Sequence, residues 1–186
     1  VRVRFSLRPP KFMKINNINN LIELFYFQYI KQKKDEIFLN SLENLDNKYS
    51  WNDTYVNIVK LSERIKKHIN KKDRCLIISE NRPEWMMSDL AIMLASGITV
   101  PAYTTYNERD YEYIIDDCTP SLIFVSNNTQ YIKIKNIISR KNFIKKVISF
   151  EKIDNLDKNL YLNIKEIFKS SEKINENLLN TEIKRK

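Results

Sequence analysis

Glycine is almost missing from this chain: Gly97 is the only one in 186 residues, where an average protein carries about 7%. A chain with one glycine has no Gly-x-Gly-x-x-Gly turn and no Walker loop, so the two commonest Gly-rich phosphate cradles are excluded. Asn, Ile and Lys are used heavily instead. We read that bias as an effect of nucleotide composition on codon choice, so the lysine and asparagine surplus says little about function. Cysteine is scarce too. Cys75 and Cys118 lie far apart, without a Cys-x-x-Cys or metal-ligand spacing, which argues against a disulfide framework and a zinc finger. Cys75 falls in a predicted strand and reads as a small buried hydrophobe rather than a reactive thiol. That usage is compatible with a reducing cytoplasm. The single histidine, His68, has no base, nucleophile or metal partner suggested around it. It reads as a surface residue near a helix C-terminus, where a protonated imidazole suits the dipole. The longest apolar run, Leu90 to Tyr103, is interrupted by Ser96, Gly97, Thr99 and Pro101 and falls short of the roughly 18 residues of a membrane span.

What is present is ordinary for a globular protein. Hydrophobic residues make up 42% and charged residues 30%, and the length suits one domain with a sizeable core. The net charge is +9, but its distribution argues against nucleic acid. Between Ser79 and Asn128 eight acids face two bases, a balance of −6. The positive charge lies in the flanks, residues 1–14 and Lys133 to Lys146. Neither a zinc-finger spacing nor the aromatic-basic signature of an RNA-binding sheet occurs.

Residues 74–125 carry the organisation. Arg74 to Ser79, with Leu76-Ile77-Ile78 at its centre, Gly97 to Thr105 and Ser121 to Ser126 hold short aliphatic or β-branched runs separated by two segments of helical period. That alternation predicts an α/β fold, a mostly parallel sheet with flanking helices. Three helix starts share a capping-box spacing: Ser50 with Asp53, Asn81 with Glu84 (Pro83 in the first turn), and Asn107 with Asp110. Gly97 is expected at a helix end, where positive φ or close backbone approach is needed. Pro101, inside a strand-like run, implies a strand start, an edge or a bulge.

Ser-Glu-Asn-Arg-Pro-Glu-Trp (79–85), followed by Leu-Ala-Ile-Met-Leu-Ala-Ser-Gly-Ile-Thr-Val-Pro-Ala-Tyr-Thr-Thr (90–105), resembles the N-terminal part of AMP-forming acyl-CoA synthetases. Within that adenylate-forming superfamily the long-chain fatty acid–CoA ligases are closest. Tyr49-Ser50-Trp51-Asn52-Asp53 resembles an earlier short motif of the family. The likeness is collinear from about Leu21 to about Phe150. It implies that residues 13–186 are the N-terminal part of the large, AMP-binding domain, ending before the family's phosphate-binding loop. The whole enzyme would then convert fatty acid, ATP and coenzyme A to acyl-CoA, AMP and pyrophosphate, with Mg2+. This stretch alone is expected to hold none of those ligands, to lack adenylation activity and to expose apolar surface.

The flanks give less. Residues 1–12 match nothing in the family, and Met13 is expected as the natural start. Ile18 to Lys33 has Ile18, Leu21, Ile22, Phe25, Tyr29 and Ile30 at helical spacing. That predicts a packed entry helix, with peripheral membrane contact as the alternative. Ile37 to Leu39 and Lys48 to Ser50 predict a hairpin, Tyr131 to Arg140 a helix, and Lys146 to Phe150 a fourth strand. Beyond Glu151 only short helix-like pieces are expected, and Thr181 to Lys186 has no packing signal. The Lys133 to Lys146 bases, with no acids among them, read either as a patch for coenzyme A phosphates or anionic lipid, or as a solvated face.

No catalytic or metal-ligating constellation is present. Tyr103, Thr104 and Thr105 sit at the carboxyl end of the second central strand, where ligands of parallel sheets gather. They are the substrate-cleft candidates for the acyl or nucleotide group. Ser50, Asp53, Asn81, Pro83, Glu84, Gly97 and Pro101 are read as structural, and Trp85 as a core or interdomain anchor. The competing reading is a non-catalytic α/β module that binds a nucleotide or a protein partner.

Overall fold

The computed structural model describes residues 18–41, 47–154, 156–157 and 159–171; the expectations for residues 1–12, Met13 and Thr181 to Lys186 lie outside them. A helix, α1 (Leu21–Lys31), leads into a hairpin, β1 (Ile37–Asn40) with β2 (Lys48–Ser50). Helix α2 (Trp51–Lys66) follows. Then come β3 (Arg74–Ile78), α3 (Pro83–Leu94), β4 (Ile98–Ala102), α4 (Glu108–Cys118) and β5 (Leu122–Val125). The described chain closes with α5 (Asn128–Ile138), β6 (Lys146–Ser149), β7 (Tyr161–Asn163) and α6 (Ile164–Lys169).

The last five strands form one parallel sheet in the order β4-β3-β5-β6-β7. Side chains of a strand alternate between faces, and here both faces are apolar. Cys75, Ile77, Leu122, Phe124 and Ile148 meet α1, α2, α3 and α6. Leu76, Ile78, Ile123, Val125 and Val147 meet α4 and α5. Continuous runs such as Leu76-Ile77-Ile78, fully buried, are the signature of strands covered on both sides.

Two of the three expected capping boxes form. Ser50 Oγ accepts from Asp53 N at 3.0 Å while Asp53 Oδ2 accepts from Ser50 N at 3.0 Å, and Asn107 with Asp110 repeats the exchange. The third does not. Helix α3 is entered through Arg82, which makes no side-chain cap, with Pro83 in its first turn. Proline disfavours helical backbone at the preceding residue, so Arg82 takes the extended conformation, and Asn81 is left one place too early. Glu84 turns instead to other partners, described below.

Gly97 does sit at a helix end, and of the two expected reasons close approach holds rather than positive φ. The end of α3 is a Schellman motif, with Gly97 N bonding Ile92 O and Ser96 N bonding Met93 O, each at 2.9 Å. The left-handed residue is Ser96, at φ 64°, not the glycine. Gly97 is small for a packing reason: a Cβ there would lie 2.9 Å from Ile69 Cδ1 and 3.0 Å from Ile92 Cγ2. Gly97→Ala is expected to cost about 1–2 kcal/mol through overpacking, read as a lower urea midpoint at unchanged slope. Ile69 Cδ1 ends a flexible side chain, which keeps the figure at the low end.

Pro101 lies in β4, an edge strand of the described sheet. Helix α1 packs as expected through Ile22 and Phe25, while Leu21 and Ile30 are exposed rather than buried. Its rings join Trp51 and Tyr55 of α2, Tyr29 stacking on Tyr55 at 4.2 Å. Among the described residues no helix is long and apolar enough to cross a membrane. Strand β7 is a departure from the sequence reading: Tyr-Leu-Asn is too short to show alternation, and its conformation comes from pairing with β6. His68 is a further correction. It is half-buried rather than surface. Burial first, then Lys146, Arg64, Lys67 and Lys145, lowers its pKa, which works against the charged form.

Candidate functional site

The chain leaves β4 as Tyr103-Thr104-Thr105-Tyr106, and this loop is held from behind. The Tyr111 hydroxyl, on α4, donates to the Tyr103 carbonyl at 2.7 Å. Lys133 Nζ, on α5, donates to the carbonyls of Thr104 at 2.6 Å and Tyr106 at 3.2 Å. Tyr111 is fully buried. Burial, reinforced by Glu80, Tyr106 and Asp110, pushes its phenol up to about 12, so it stays a neutral donor. Gln130 links the group to Glu80, its Nε2 donating to Glu80 Oε1 at 3.5 Å.

In front of the loop is a cleft of about 630 Å³. The β3–α3 segment supplies Glu80, Asn81 and Trp85, β4 and its loop supply Pro101, Tyr103 and Thr104, and α4 supplies Tyr113 and Asp117. Tyr103 and Thr104 therefore line a cavity at the carboxyl end of β4, whereas Thr105 does not. Of the residues read as structural, Asn81, Trp85 and Pro101 also line it. Ser50, Asp53 and Gly97 do not, and neither do Pro83 and Glu84, which are buried.

Glu84 belongs to a separate construction, none of whose members lines the cleft. Its carboxylate accepts from Arg82 Nε at 3.0 Å, Asn47 Nδ2 at 2.9 Å and the Tyr49 hydroxyl at 3.4 Å. Arg82 also reaches Glu151 at 2.9 Å. The Arg-Pro-Glu stretch thus ties the hairpin, the start of α3 and the end of β6 together. Sequence reasoning missed this role for Arg82, Glu84 and Tyr49, since the partners are distant in the chain.

Tyr113, Asp117, Glu80 and Lys133 were also missed. Tyr113 did leave a signal: it falls off the apolar period of α4 set by Tyr111, Ile115 and Cys118. The basic segment 133–146 is not a free patch. Arg140 pairs with Glu112 at 3.1 Å, Lys141 with Asp116 at 2.5 Å and Lys145 with Asp73 at 3.5 Å, while Lys133 holds loop carbonyls and Lys146 the Asn159 carbonyl. Cys75, buried, is pushed up to about 12 by desolvation first and Asp73 second, which makes it an inert thiol.

The residues present do not suit a polyphosphate. Gly97 is packed between Ile69 and Ile92, and the cleft is lined by two carboxylates and no base. Among the described residues no group of three or more ligating side chains could hold a metal ion.

The family model described as AMP-binding enzyme matches residues 27–181. The chain is 33% identical over 54 residues to long-chain-fatty-acid–CoA ligase ACSBG2 of Gallus gallus, covering 29% of this chain and 7% of that protein. It is 30% identical over 113 residues to long chain acyl-CoA synthetase 3 of Arabidopsis thaliana, covering 58% of this chain and 17% of that one. The matches thus span a small part of these relatives' length. In fold it is similar to coronafacic acid ligase from Pectobacterium brasiliense, with a TM-score of 0.66 at 16% identity, over 79% of this chain and 29% of that one.

Proposed function

The chain belongs to the AMP-binding enzyme family, and from that premise we propose that it is the N-terminal portion of a long-chain fatty acid–CoA ligase. The complete protein would join fatty acid and coenzyme A through an acyl-adenylate, consuming ATP with Mg2+. The observation that carries the long-chain reading is the run of relatives named as long-chain ligases, together with the Asn-Arg-Pro-Glu-Trp and Val-Pro-Ala-Tyr-Thr-Thr stretches that resemble that group.

The role of these residues is to frame the reaction. No step of the chemistry is assigned to a side chain described here. Positioning dominates acyl activation, and a scaffold contributes by holding one rim of the cleft rigid. Tyr111 and Lys133 do this for the Tyr103 to Tyr106 loop, so Tyr103, Thr104 and Thr105 line or support the acyl or nucleotide cleft of the complete enzyme.

Two measurements test the reading. This chain alone should give ATP–pyrophosphate exchange with palmitate no faster than buffer, while a longer product of the same gene should form palmitoyl-CoA. In that longer protein, the Thr104→Val and Thr105→Val pair should lower kcat/KM by about tenfold, the effect of one lost hydrogen bond to a charged group. An unchanged kcat/KM across several chain lengths would remove these threonines from the site.

A further inference from the structure

We propose that the cleft beside β4 is a binding site for an organic cation, an alkylammonium or guanidinium group, against which Tyr103, Tyr113 and Trp85 offer ring surface and which Glu80 and Asp117 neutralise. The inference does not depend on the ligase reading, since it follows from the charge and shape of the cleft alone.

Exposure is the first observation. Tyr103 is 72% and Tyr113 73% exposed, the two highest values among the exposed large hydrophobic residues described, and both line this cleft with the half-buried Trp85. Aromatic side chains left in water around a concavity mark a surface built for contact. Their ring faces attract cations, with Trp the strongest of the three ring types.

Charge is the second. Helix α4 carries Glu112, Asp116 and Asp117 in its second half. The bases of the following segment compensate Glu112 through Arg140 and Asp116 through Lys141, but Asp117 has no ion pair or hydrogen bond among the described residues. Glu80 has only the neutral Gln130 amide. Both carboxylates that line the cleft are thus without an ion-pair partner among the described residues. Asp117 also lies in the last turn of α4, where the helix dipole is negative.

Arg109, one turn before Tyr113 on α4, is exposed but does not line the cleft, and the other neighbouring bases are engaged elsewhere. Lys133 holds the Thr104 and Tyr106 carbonyls, Arg82 holds Glu84 and Glu151, and Arg74 Nη1 reaches the Cys118 carbonyl at 3.5 Å. Directly between Glu80 and Asp117 a carboxylate or phosphate group would meet repulsion, which leaves the Thr104 side of the rim for an acyl or nucleotide group of the complete enzyme. Two carboxylates without a third ligating side chain also make a poor metal site, whereas aromatic walls with flanking carboxylates suit a soft, weakly hydrated organic cation.

Fluorescence reads this site cleanly, because of the two tryptophans Trp51 is buried in the core, at 4% exposure, and Trp85 lines the cleft. The full chain is titrated at constant ionic strength with tetramethylammonium, with arginine amide, with an arginine-containing tripeptide and with sodium butyrate. A saturable change with the cations and none with butyrate is expected. Tetramethylammonium alone giving saturation would identify an ammonium ligand. Tighter binding of the tripeptide than of arginine amide would identify the cation as one carried by a peptide. Tyr113→Ala and Asp117→Asn, both at exposed positions, should each weaken binding about fivefold. The proposal fails if no cation saturates, if butyrate matches the cations, or if both variants bind as the parent does while keeping its circular dichroism.

Discussion

Replacing Arg82 with methionine is expected to remove about 3 kcal/mol of folding stability, a large share of the roughly 5–15 kcal/mol a domain has. Glu84 has no exposed side-chain surface, and Arg82 Nε sits 3.0 Å from it. Without the guanidinium, the carboxylate keeps only the Asn47 amide and the Tyr49 hydroxyl. Breaking a buried pair from one side leaves an uncompensated charge in a medium that solvates it poorly, and that outweighs the modest net value of the pair itself. Glu151 loses its partner too, but it is half exposed, and water replaces most of that interaction. Arg82 is 18% exposed, which places the cost at the lower end of the usual range of about 3–5 kcal/mol. The double variant Arg82→Met with Glu84→Gln should recover about half of the loss, since a neutral amide is cheaper to bury. Urea unfolding of the two variants against the parent measures both numbers. Equal stability of the single and double variants would mean that the charge on Glu84 is not the source of the cost.

Lys133→Met should cost about 2 kcal/mol and act locally. Its ammonium is the donor to two loop carbonyls, at 2.6 and 3.2 Å, and methionine keeps the stem while leaving both acceptors without that partner. Exchange of the Tyr106 amide, which donates to the Tyr103 carbonyl at 3.4 Å, should rise about tenfold, the equivalent of about 1.4 kcal/mol, while the centre of β5 keeps its protection relative to global unfolding. Lys133→Arg should restore most of the effect, because a guanidinium also presents several donors to paired carbonyls. Uniform acceleration at all sites would show instead that Lys133 contributes to global stability without fixing the loop.

The fold was legible where one physical cause dominates over a short window. Leu76-Ile77-Ile78 announces a strand buried on both faces, and Ser50 with Asp53 announces a helix start, because alternation and capping are local. Legibility ended where the cause is tertiary. Arg82 displaced Asn81 from the cap because proline restricts its neighbour and Glu84 found better partners in the hairpin. Strand β7 exists only because β6 is beside it. The candidate cleft was half legible. Tyr103 and Thr104 follow from their place at a strand end, whereas Glu80, Tyr113 and Asp117 come together only when the β3–α3 turn and α4 line one cleft. The basic segment 133–146 read only as a docking patch or a solvated face, because its acidic partners, Glu112 and Asp116, belong to another helix.

Pro101 has a last consequence, for which way the sheet can grow. In the β3–β4 ladder Ile98 N bonds Asp73 O at 2.9 Å, and in a parallel pair alternate residues point their amides to the same neighbour. Ile98, Val100 and Ala102 therefore face β3, and Thr99 and Pro101 face outward. Proline has no amide hydrogen, so an incoming strand would find a single donor, on Thr99. Accretion on that flank is discouraged, since an incoming strand would meet outward carbonyls but only one amide.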